Sequence, residues 1–156
     1  MATSITPDER IAELGLELPE PFPPAGTYVS AARTGDLLFL AGHIPIGADK
    51  QVVQGKLGDD LDLDAGRNAA RLAALSALAT LKHELGDLRR VSRIVSLRGV
   101  VNATPDFAGH TQVIDGASDV FVDVFGDRGK HARLAVGVSS LPANLALEIE
   151  LVAEVD

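Results

Sequence analysis

The C-terminal part of the chain has the clearest alternation of apolar and polar positions. Within residues 145–155, Leu, Ile and Ala occupy every second position from 145 to 153, and Glu148 and Glu150 lie between them. A period of two is typical of a β-strand that buries one face and exposes the other. The preceding run, residues 132–138, is apolar apart from Arg133 near its start. We therefore predict two successive strands joined by a short turn.

Two longer segments have the spacing of amphipathic helices. From Asp64 to about Leu85, leucines recur at intervals of three or four residues beside several alanines, and Gly86 supplies a stop signal. A second helix is predicted to begin near residue 107 or 111 and to end near residue 124. Large apolar residues fall on one side of it, so both helices are expected to pack against a sheet.

The N-terminal part is predicted to form a short helix followed by an extended linker. Thr6 is an N-cap signal, and Pro7 suits the first helical position. Four prolines between residues 19 and 24 favour an extended chain after this helix. We therefore expect an N-terminal helix and Pro-rich linker over residues 1–23 and one domain over residues 24–156.

The remaining pattern predicts further strands and the fold class. Residues 28–33 and 37–42 have the pattern of a β-hairpin, and residues 91–101 have that of another strand. The segment 37–42 is apolar throughout, so we expect it to be buried on both faces. The order α-β-β-α-β-α-β-β predicts an α+β fold, a mixed β-sheet with two helices packed on one face. The other face is expected to be apolar and to be covered by neighbouring subunits.

Composition and charge narrow the classes of function. The chain of 156 residues has no Cys, which excludes disulfides, thiolate metal ligands and a cysteine nucleophile. Its formal net charge of −8 disfavours nucleic acid as a partner, because phosphate binding needs a basic patch. The four histidines lack metal-ligand spacing, so no metal site is expected. The start has no signal-peptide features and no apolar run approaches a membrane span, so we expect a cytoplasmic protein with no membrane partner.

Three motifs, in order along the chain, resemble those of the RidA/YjgF family. They are Tyr28-Val29, the Ala-Gly-His-Ile-Pro of residues 41–45, and the pattern H-A-R-x-A-V-G-V-x-x-L-P followed by E-I-E in residues 131–150. The resemblance covers roughly residues 24–155. It implies a chorismate-mutase-like fold and a homotrimer with sites between subunits. The short helix before it resembles the N-terminal extension of one subgroup.

The resemblance also implies roles for four residues. Arg133, a lone guanidinium at the start of an apolar strand, is implied to hold the carboxylate of the substrate through its planar fork. Glu148, fifteen residues later, is implied to orient water and to transfer a proton. Tyr28 is implied to line the pocket. Asp115 lies near the place of a family asparagine and is a weaker candidate for substrate binding.

The function that the resemblance implies is the hydrolytic deamination of reactive 2-imino and 2-enamino acids to 2-keto acids and ammonia, with no cofactor. Ala135 stands where many relatives have a cysteine, and Asp115 cannot donate a hydrogen bond as asparagine does. These departures leave an alternative open, a non-catalytic trimer that binds small carboxylates or a specialised enzyme acting on another imine or carbonyl compound. A chorismate-mutase-like enzyme would need a second cation at the ligand, and the sequence does not reveal one.

Overall fold

Helices and strands follow one another in the predicted order. The computed structural model describes residues 4–156. The regular elements are α1 (Pro7–Glu13), β1 (Ala31–Thr34), β2 (Leu37–Leu40), α2 (Leu63–Leu85), β3 (Val91–Asn102), α3 (His110–Phe125), β4 (Ala132–Val138) and β5 (Leu147–Val155).

The five strands form one mixed sheet in the order β1-β2-β5-β3-β4. β3 and β4 are parallel, and the other neighbouring pairs are antiparallel. The predicted mixed sheet is confirmed. β5 lies in the centre, and its alternate residues from Leu147 to Val155 are buried, as the period of two predicted.

α2 and α3 pack together on one face of the sheet. α2 begins after the N-cap Asp62 and ends at Gly86, whose φ of 76° is the left-handed conformation that glycine adopts readily. Gly116 of α3 lies directly against the backbone carbonyl of Arg67, where a side chain would not fit. The close packing also depends on small side chains of α2, which are fully buried: Ala69, Ala70, Ala73, Ala74 and Ala77.

The N-terminal helix is part of the same packed structure. In α1, Thr6 and Glu9 form a reciprocal capping box, and Ile11 is buried in the common core. The Arg10 Nε donates a hydrogen bond to the Asp123 backbone carbonyl at the end of α3. Three helices therefore accompany the sheet, as the order of elements predicted: α2 and α3 pack on it, and α1 packs against α3. No helix among residues 4–156 has the length and apolar character needed to cross a membrane.

The opposite face of the sheet carries no helix and is called the open face below. The expectation that residues 37–42 are buried on both faces is wrong, because Phe39 points to the open face and is 45% exposed. Leu134 of β4 points to the same side and is 49% exposed. The strand register and the alternation of side chains direct these residues to the open face: Phe39, Ser96, Arg98, Val100, Ala132, Leu134, Val136, Glu148, Glu150 and Val152.

Candidate functional site

A cavity of about 680 Å³ lies beside the end of β2. One wall comes from the Pro-rich linker, another from the turn that precedes β5, and α2 contributes a residue from inside the fold. The residues that line this cavity, called the main cavity below, are Phe22, Pro23, Pro24, Ala25, Tyr28, Ser30, Ala41, Gly42, His43, Ile44, Gln51, Val52, Gln54, Ser76, Pro142, Ala143, Leu145 and Glu148.

Glu148 of β5 places a half-buried carboxylate in the main cavity. A Cβ atom at residue 42 would lie 2.7 Å from the Glu148 Oε2, so Gly42 leaves the space that the carboxylate occupies. Burial raises the pKa of Glu148 above its usual range, because the charged form loses solvation. A carboxylate with a raised pKa is a better proton acceptor than a fully solvated one, which suits a general base.

Tyr28 lines the same cavity as Glu148. Its phenol oxygen accepts a hydrogen bond of 3.0 Å from the Ala25 backbone N–H, which closes a small turn at the end of the linker. The hydroxyl hydrogen remains free to donate to a ligand or to water. The structure therefore brings together two of the four residues that the sequence singled out.

Arg133 lies elsewhere, at the edge of the sheet against α3, and it is not a lone guanidinium. Its Nη1 is 2.6 Å from the Asp115 Oδ1 and donates a second hydrogen bond of 3.1 Å to the Ser118 Oγ. Its Nη2 donates to the Thr111 backbone carbonyl at 3.2 Å. The Arg133 side chain is 18% exposed and that of Asp115 is 42% exposed. Arg133 and Asp115 thus form an ion pair of their own.

His131 extends the cluster around Arg133. Its Nε2 lies 2.9 Å from the Ser118 Oγ, and its Nδ1 lies 2.6 Å from the Gly129 backbone carbonyl. The ring also packs edge-on against Phe121. Burial lowers the pKa of His131, and the positive charge of Arg133 lowers it further. The neutral imidazole therefore supports Ser118 and adds no charge to the site.

Arg133 and Glu148 project from opposite faces of the sheet. Arg133 is in register with Leu97 of β3, which is fully buried beneath the helices. Glu148 is in register with Val100, three residues further along β3. Because successive side chains of a strand point to opposite faces, an odd offset reverses the direction. A single chain therefore does not bring Arg133 and Glu148 to one ligand.

Three residues that sequence reasoning did not place in a site lie close to Glu148. His43 and Ser76 line the main cavity with it, and Arg98 lines a smaller adjoining cavity of about 240 Å³. Arg98 Nη1 is 3.3 Å from the Glu150 Oε1, so this second cation is already paired on the open face. The signal for Ser76 was a hydroxyl within the apolar side of an Ala- and Leu-rich helix. The signal for Arg98 was a charge in the middle of a predicted strand with mixed faces.

His43 is held from both sides at the inner end of the main cavity. Its Nδ1 lies 2.7 Å from the Ala41 backbone carbonyl, and its Nε2 lies 2.7 Å from the Thr80 Oγ1 of α2. Burial lowers the pKa of His43. In the neutral form, Nδ1 donates to the carbonyl and Nε2 accepts from the threonine hydroxyl. Among residues 4–156, no three His, Asp or Glu side chains are grouped as a metal site would require.

Comparisons with known proteins place this chain in a family. A family model described as "YjgF/chorismate mutase-like, putative endoribonuclease" matches residues 8–155. The protein TCP17 of Trypanosoma cruzi is 39% identical over 147 residues, which cover 94% of this chain and 92% of that protein. A RutC family protein of Pyrococcus horikoshii is 32% identical over 131 residues, covering 83% of this chain and 88% of that protein.

Solved structures show the same fold. A structure from Shewanella oneidensis is 36% identical, with a TM-score of 0.94, and covers 97% of this chain and 100% of its own. The protein Atu1372 of Agrobacterium tumefaciens, described as of unknown function, is 39% identical with a TM-score of 0.88, and covers 97% and 94%. Escherichia coli TdcF with bound serine shares the fold at 18% identity, with a TM-score of 0.61 and coverage of 88% and 94%.

Proposed function

Because this chain belongs to the RidA/YjgF family, we propose that it hydrolyses reactive 2-imino and 2-enamino acids. In this reaction water adds to the C=N carbon of the 2-imino acid, and the C–N bond then breaks to give a 2-keto acid and ammonia. The imine carbon is already electrophilic, so the reaction needs an oriented water, a proton carrier and an anchor for the substrate carboxylate. It requires no cofactor.

The observation that carries the proposal is the Glu148 carboxylate in the main cavity, with its raised pKa and the Tyr28 phenol in the same space. Glu148 would accept a proton from the attacking water and deliver it to the departing nitrogen. The Tyr28 hydroxyl would donate a hydrogen bond to the water or to the substrate. The negative net charge of −8 argues against the nuclease activity in the family description.

The carboxylate anchor would come from a neighbouring copy of the chain. Arg133 and Glu148 face opposite sides of the sheet, so they meet at one ligand only when two subunits pack together. We propose a homotrimer in which the open face is covered and each site combines Glu148 and Tyr28 of one subunit with Arg133 of the next. The exposed apolar side chains Phe39 and Leu134 support this assembly.

Arg133 can hold a carboxylate while it keeps its present contacts. Three of its N–H groups donate to Asp115, Ser118 and Thr111. A guanidinium has five N–H donors, so two remain for a ligand. The serine bound in the TdcF structure is a small carboxylate of the kind that such an anchor would receive. Asp115 would reduce the attraction, because its charge lies beside the same guanidinium.

A second candidate function is favoured by that same ion pair. A cation already neutralised by Asp115 binds small anions more weakly, which suits a specialised enzyme whose substrate is held mainly by other contacts, or a non-catalytic carboxylate-binding trimer. Incubation with freshly generated 2-iminopropionate separates these possibilities. A deaminase accelerates pyruvate formation, whereas a carboxylate-binding protein shows heat of binding for pyruvate in calorimetry and leaves the rate unchanged.

Coexpression of two inactive variants tests the shared site. Arg133→Ala should lower kcat/KM by roughly two to three and a half decades, the loss expected for a buried ion pair without one partner. Glu148→Gln should also inactivate. In mixed trimers, about one site in four combines an intact Glu148 with an intact neighbouring Arg133, so roughly a quarter of the wild-type activity should return. Glu150→Gln is the control and should stay active.

Failure to regain activity, with each variant folded and trimeric, would show that Arg133 and Glu148 do not share a site. Separately expressed and unmixed variants serve as the baseline. An active Arg133→Ala variant would place the carboxylate elsewhere, and Arg98 in the cavity next to Glu148 would then be the first residue to substitute.

A further inference from the structure

Ser76 is a buried hydroxyl without a hydrogen-bond partner. It lies in the middle of α2, is 0% exposed, and its Oγ has no partner in the structure. A helical serine commonly donates to the carbonyl one turn earlier, but Ser76 does not. Ser76 is one of the residues that line the main cavity, so a hydroxyl with an unused donor and acceptor lies in the wall of the space that a ligand would enter.

The neighbouring polar groups do not satisfy Ser76 because they are occupied with one another. Thr80 lies four residues further along α2, on the same side, and its hydroxyl is bonded to the His43 Nε2 at 2.7 Å. The other nitrogen of His43 is bonded to the Ala41 carbonyl. His43 and Thr80 thus form a closed set at the inner end of the cavity. Of these three polar side chains, Ser76 is the one without a hydrogen-bond partner.

The walls of the main cavity select against a second charged group. No Lys or Arg is among its lining residues, all of which belong to the described part of the chain. Glu148 would repel an anion, and burial keeps the pKa of His43 low, so this imidazole stays neutral. The remaining walls are largely apolar: Phe22, Pro23, Pro24, Ile44, Val52, Pro142 and Leu145.

The size of the main cavity points to a substrate with a large side chain. About 680 Å³ lies in the upper part of the range for pockets that enclose drug-sized ligands, which is roughly 300–1,000 Å³. In the single chain, the three-carbon skeleton of 2-iminopropionate would leave most of this space unused. The turn at Ala143 and Asn144 holds both residues at positive φ, 53° and 54°, and the Gln54 side chain donates to the Ala143 carbonyl. The outer wall is therefore fixed by specific contacts.

Resting on the deaminase function proposed above, we infer that the main cavity receives a long, uncharged substrate side chain that ends in a hydrogen-bonding group, which Ser76 recognises. The carboxylate and the imine would stay at Arg133 of the neighbour and at Glu148. The apolar walls would bury the body of the side chain, and its terminal hydroxyl or amide would reach the Ser76 Oγ. Ser76 is then a residue that determines specificity.

Calorimetric titration with three 2-keto acids tests the inference without relying on turnover. Phenylpyruvate and 4-hydroxyphenylpyruvate share a phenyl ring and differ by its terminal hydroxyl. Pyruvate lacks the ring. We expect the wild type to bind 4-hydroxyphenylpyruvate about tenfold more tightly than phenylpyruvate, as one hydrogen bond provides. Pyruvate should bind most weakly. Ser76→Ala should remove the difference between the two aromatic acids and leave the affinity for phenylpyruvate unchanged.

Two controls separate recognition from a structural role. Ser92→Ala alters an exposed serine of β3 and should change none of the affinities. Ser76→Ala should have a melting temperature at least as high as the wild type, because a methyl group replaces an unpartnered buried hydroxyl. A lower melting temperature with an equal effect on all three acids would show that Ser76 is structural and would overturn the inference.

Turnover of the imines made from Phe, Tyr and Ala by an amino acid oxidase completes the test. Selective binding that depends on Ser76, without imine hydrolysis, would contradict the proposed deaminase function. It would still support the proposed class of ligand. Imine hydrolysis without any preference among the three side chains would keep the function and overturn the inference. An absence of both binding and turnover would overturn both.

Discussion

In the proposed site, the Arg133–Asp115 pair would determine how much positive charge the substrate meets. The two side chains are 2.6 Å apart, so the charge of Asp115 offsets that of the guanidinium wherever a ligand binds beside it. The sequence contained both residues, but it could not show that they touch, because 18 positions separate them. That contact depends on α3 crossing the end of β4, which is a property of the packed structure.

Replacement of Asp115 by Asn should strengthen carboxylate binding. Asn keeps an oxygen that can accept the hydrogen bond from Arg133 but carries no charge, so a bound carboxylate is no longer repelled. A like charge several ångströms away at partial exposure is worth about 1 kcal/mol, or roughly a fivefold decrease in KM. Steady-state deamination measures this change.

Asp119→Asn is the matched control for this substitution. Asp119 lies on the same helix and pairs with Arg67 at 3.3 Å. Its substitution changes the net charge of the protein by the same amount but does not remove the partner of Arg133. An unchanged or increased KM for Asp115→Asn, with the control silent, would mean that Arg133 serves the fold and does not hold the substrate.

Glu148 should make the rate of the reaction depend on pH. On the acidic limb of the pH profile, the rise in rate should be centred above the usual pKa range of a carboxylate. The raised pKa means that Glu148 becomes a base only as the pH rises above 4.5, so kcat/KM should increase with pH through the shifted value. Glu150→Gln should keep this limb, because Glu150 belongs to the Arg98 pair. A limb that is identical in a residually active Glu148→Gln variant would contradict the assignment.

The raised pKa of Glu148 also affects the stability of the folded protein. The pH dependence that it causes is opposite to that of most carboxylates. A carboxyl whose pKa is raised by folding favours the protonated form, so it lowers stability as the pH rises from 4.5 through the raised value. Thermal denaturation of Glu148→Gln should therefore show a higher melting temperature than the wild type at pH 7 and no gain at pH 4.

At the scale of elements, His43 joins the end of the β1–β2 hairpin to both the sheet and α2. Its backbone exchanges two hydrogen bonds with Ile149 of β5, at 2.7 and 3.0 Å, and its ring contacts Thr80 of α2. In the sequence, His43 is distinguished by its place after an apolar strand and by the Ala-Gly-His-Ile-Pro motif of residues 41–45. Only the Ala41 carbonyl is a local partner of its ring; Thr80 and Ile149 lie more than 30 residues away, so no local pattern could identify them.

His43 should make the protein sensitive to mild acid. Its pKa in the folded protein is below the ordinary value of 6.5, so its contribution to stability is complete above pH 6.5 and is lost as the pH falls through the lowered value. The melting temperature of the wild type should fall more steeply between pH 6.5 and 5 than that of His43→Gln. His83→Gln, at an exposed site on α2, should retain the wild-type slope.

The elements themselves were largely predictable because their signals are local. The Thr6 cap, the leucine spacing of α2 and the alternation of β5 each depend on neighbouring residues, and the structure confirms all three. The exposure of Phe39 was not predictable in this way. Its strand is uniformly apolar, and only the absence of a helix on that side leaves Phe39 in solvent.

At the scale of the whole molecule, the open face should control assembly. Its side chains mix apolar residues with the Arg98–Glu150 pair, and Leu134 lies near its edge. A charge at Leu134 would be buried without a partner in a trimer, which disfavours association. Light scattering of the wild type should give about three times the 16.3 kDa of one chain, and Leu134→Lys should give a smaller species with little activity.

Leu63→Lys is the control for the assembly prediction. Leu63 is a comparably exposed leucine, at 39%, but it begins α2 and does not belong to the open face. It should leave the trimer intact. A wild type that scatters as a stable monomer at micromolar concentration would remove the basis for any site shared between subunits.

The Pro-rich wall of the main cavity makes its entrance stiff. Prolines restrict the backbone before the hairpin. This segment is held at one end by Leu18, which packs against the core, and its other end is closed by the Ala25–Tyr28 hydrogen bond. Such a segment is expected to move less than a hinged lid. A ligand would therefore enter a frame that is already ordered, and little conformational entropy would be lost in closure. The size of the opening, rather than a slow loop motion, would limit exchange with solvent.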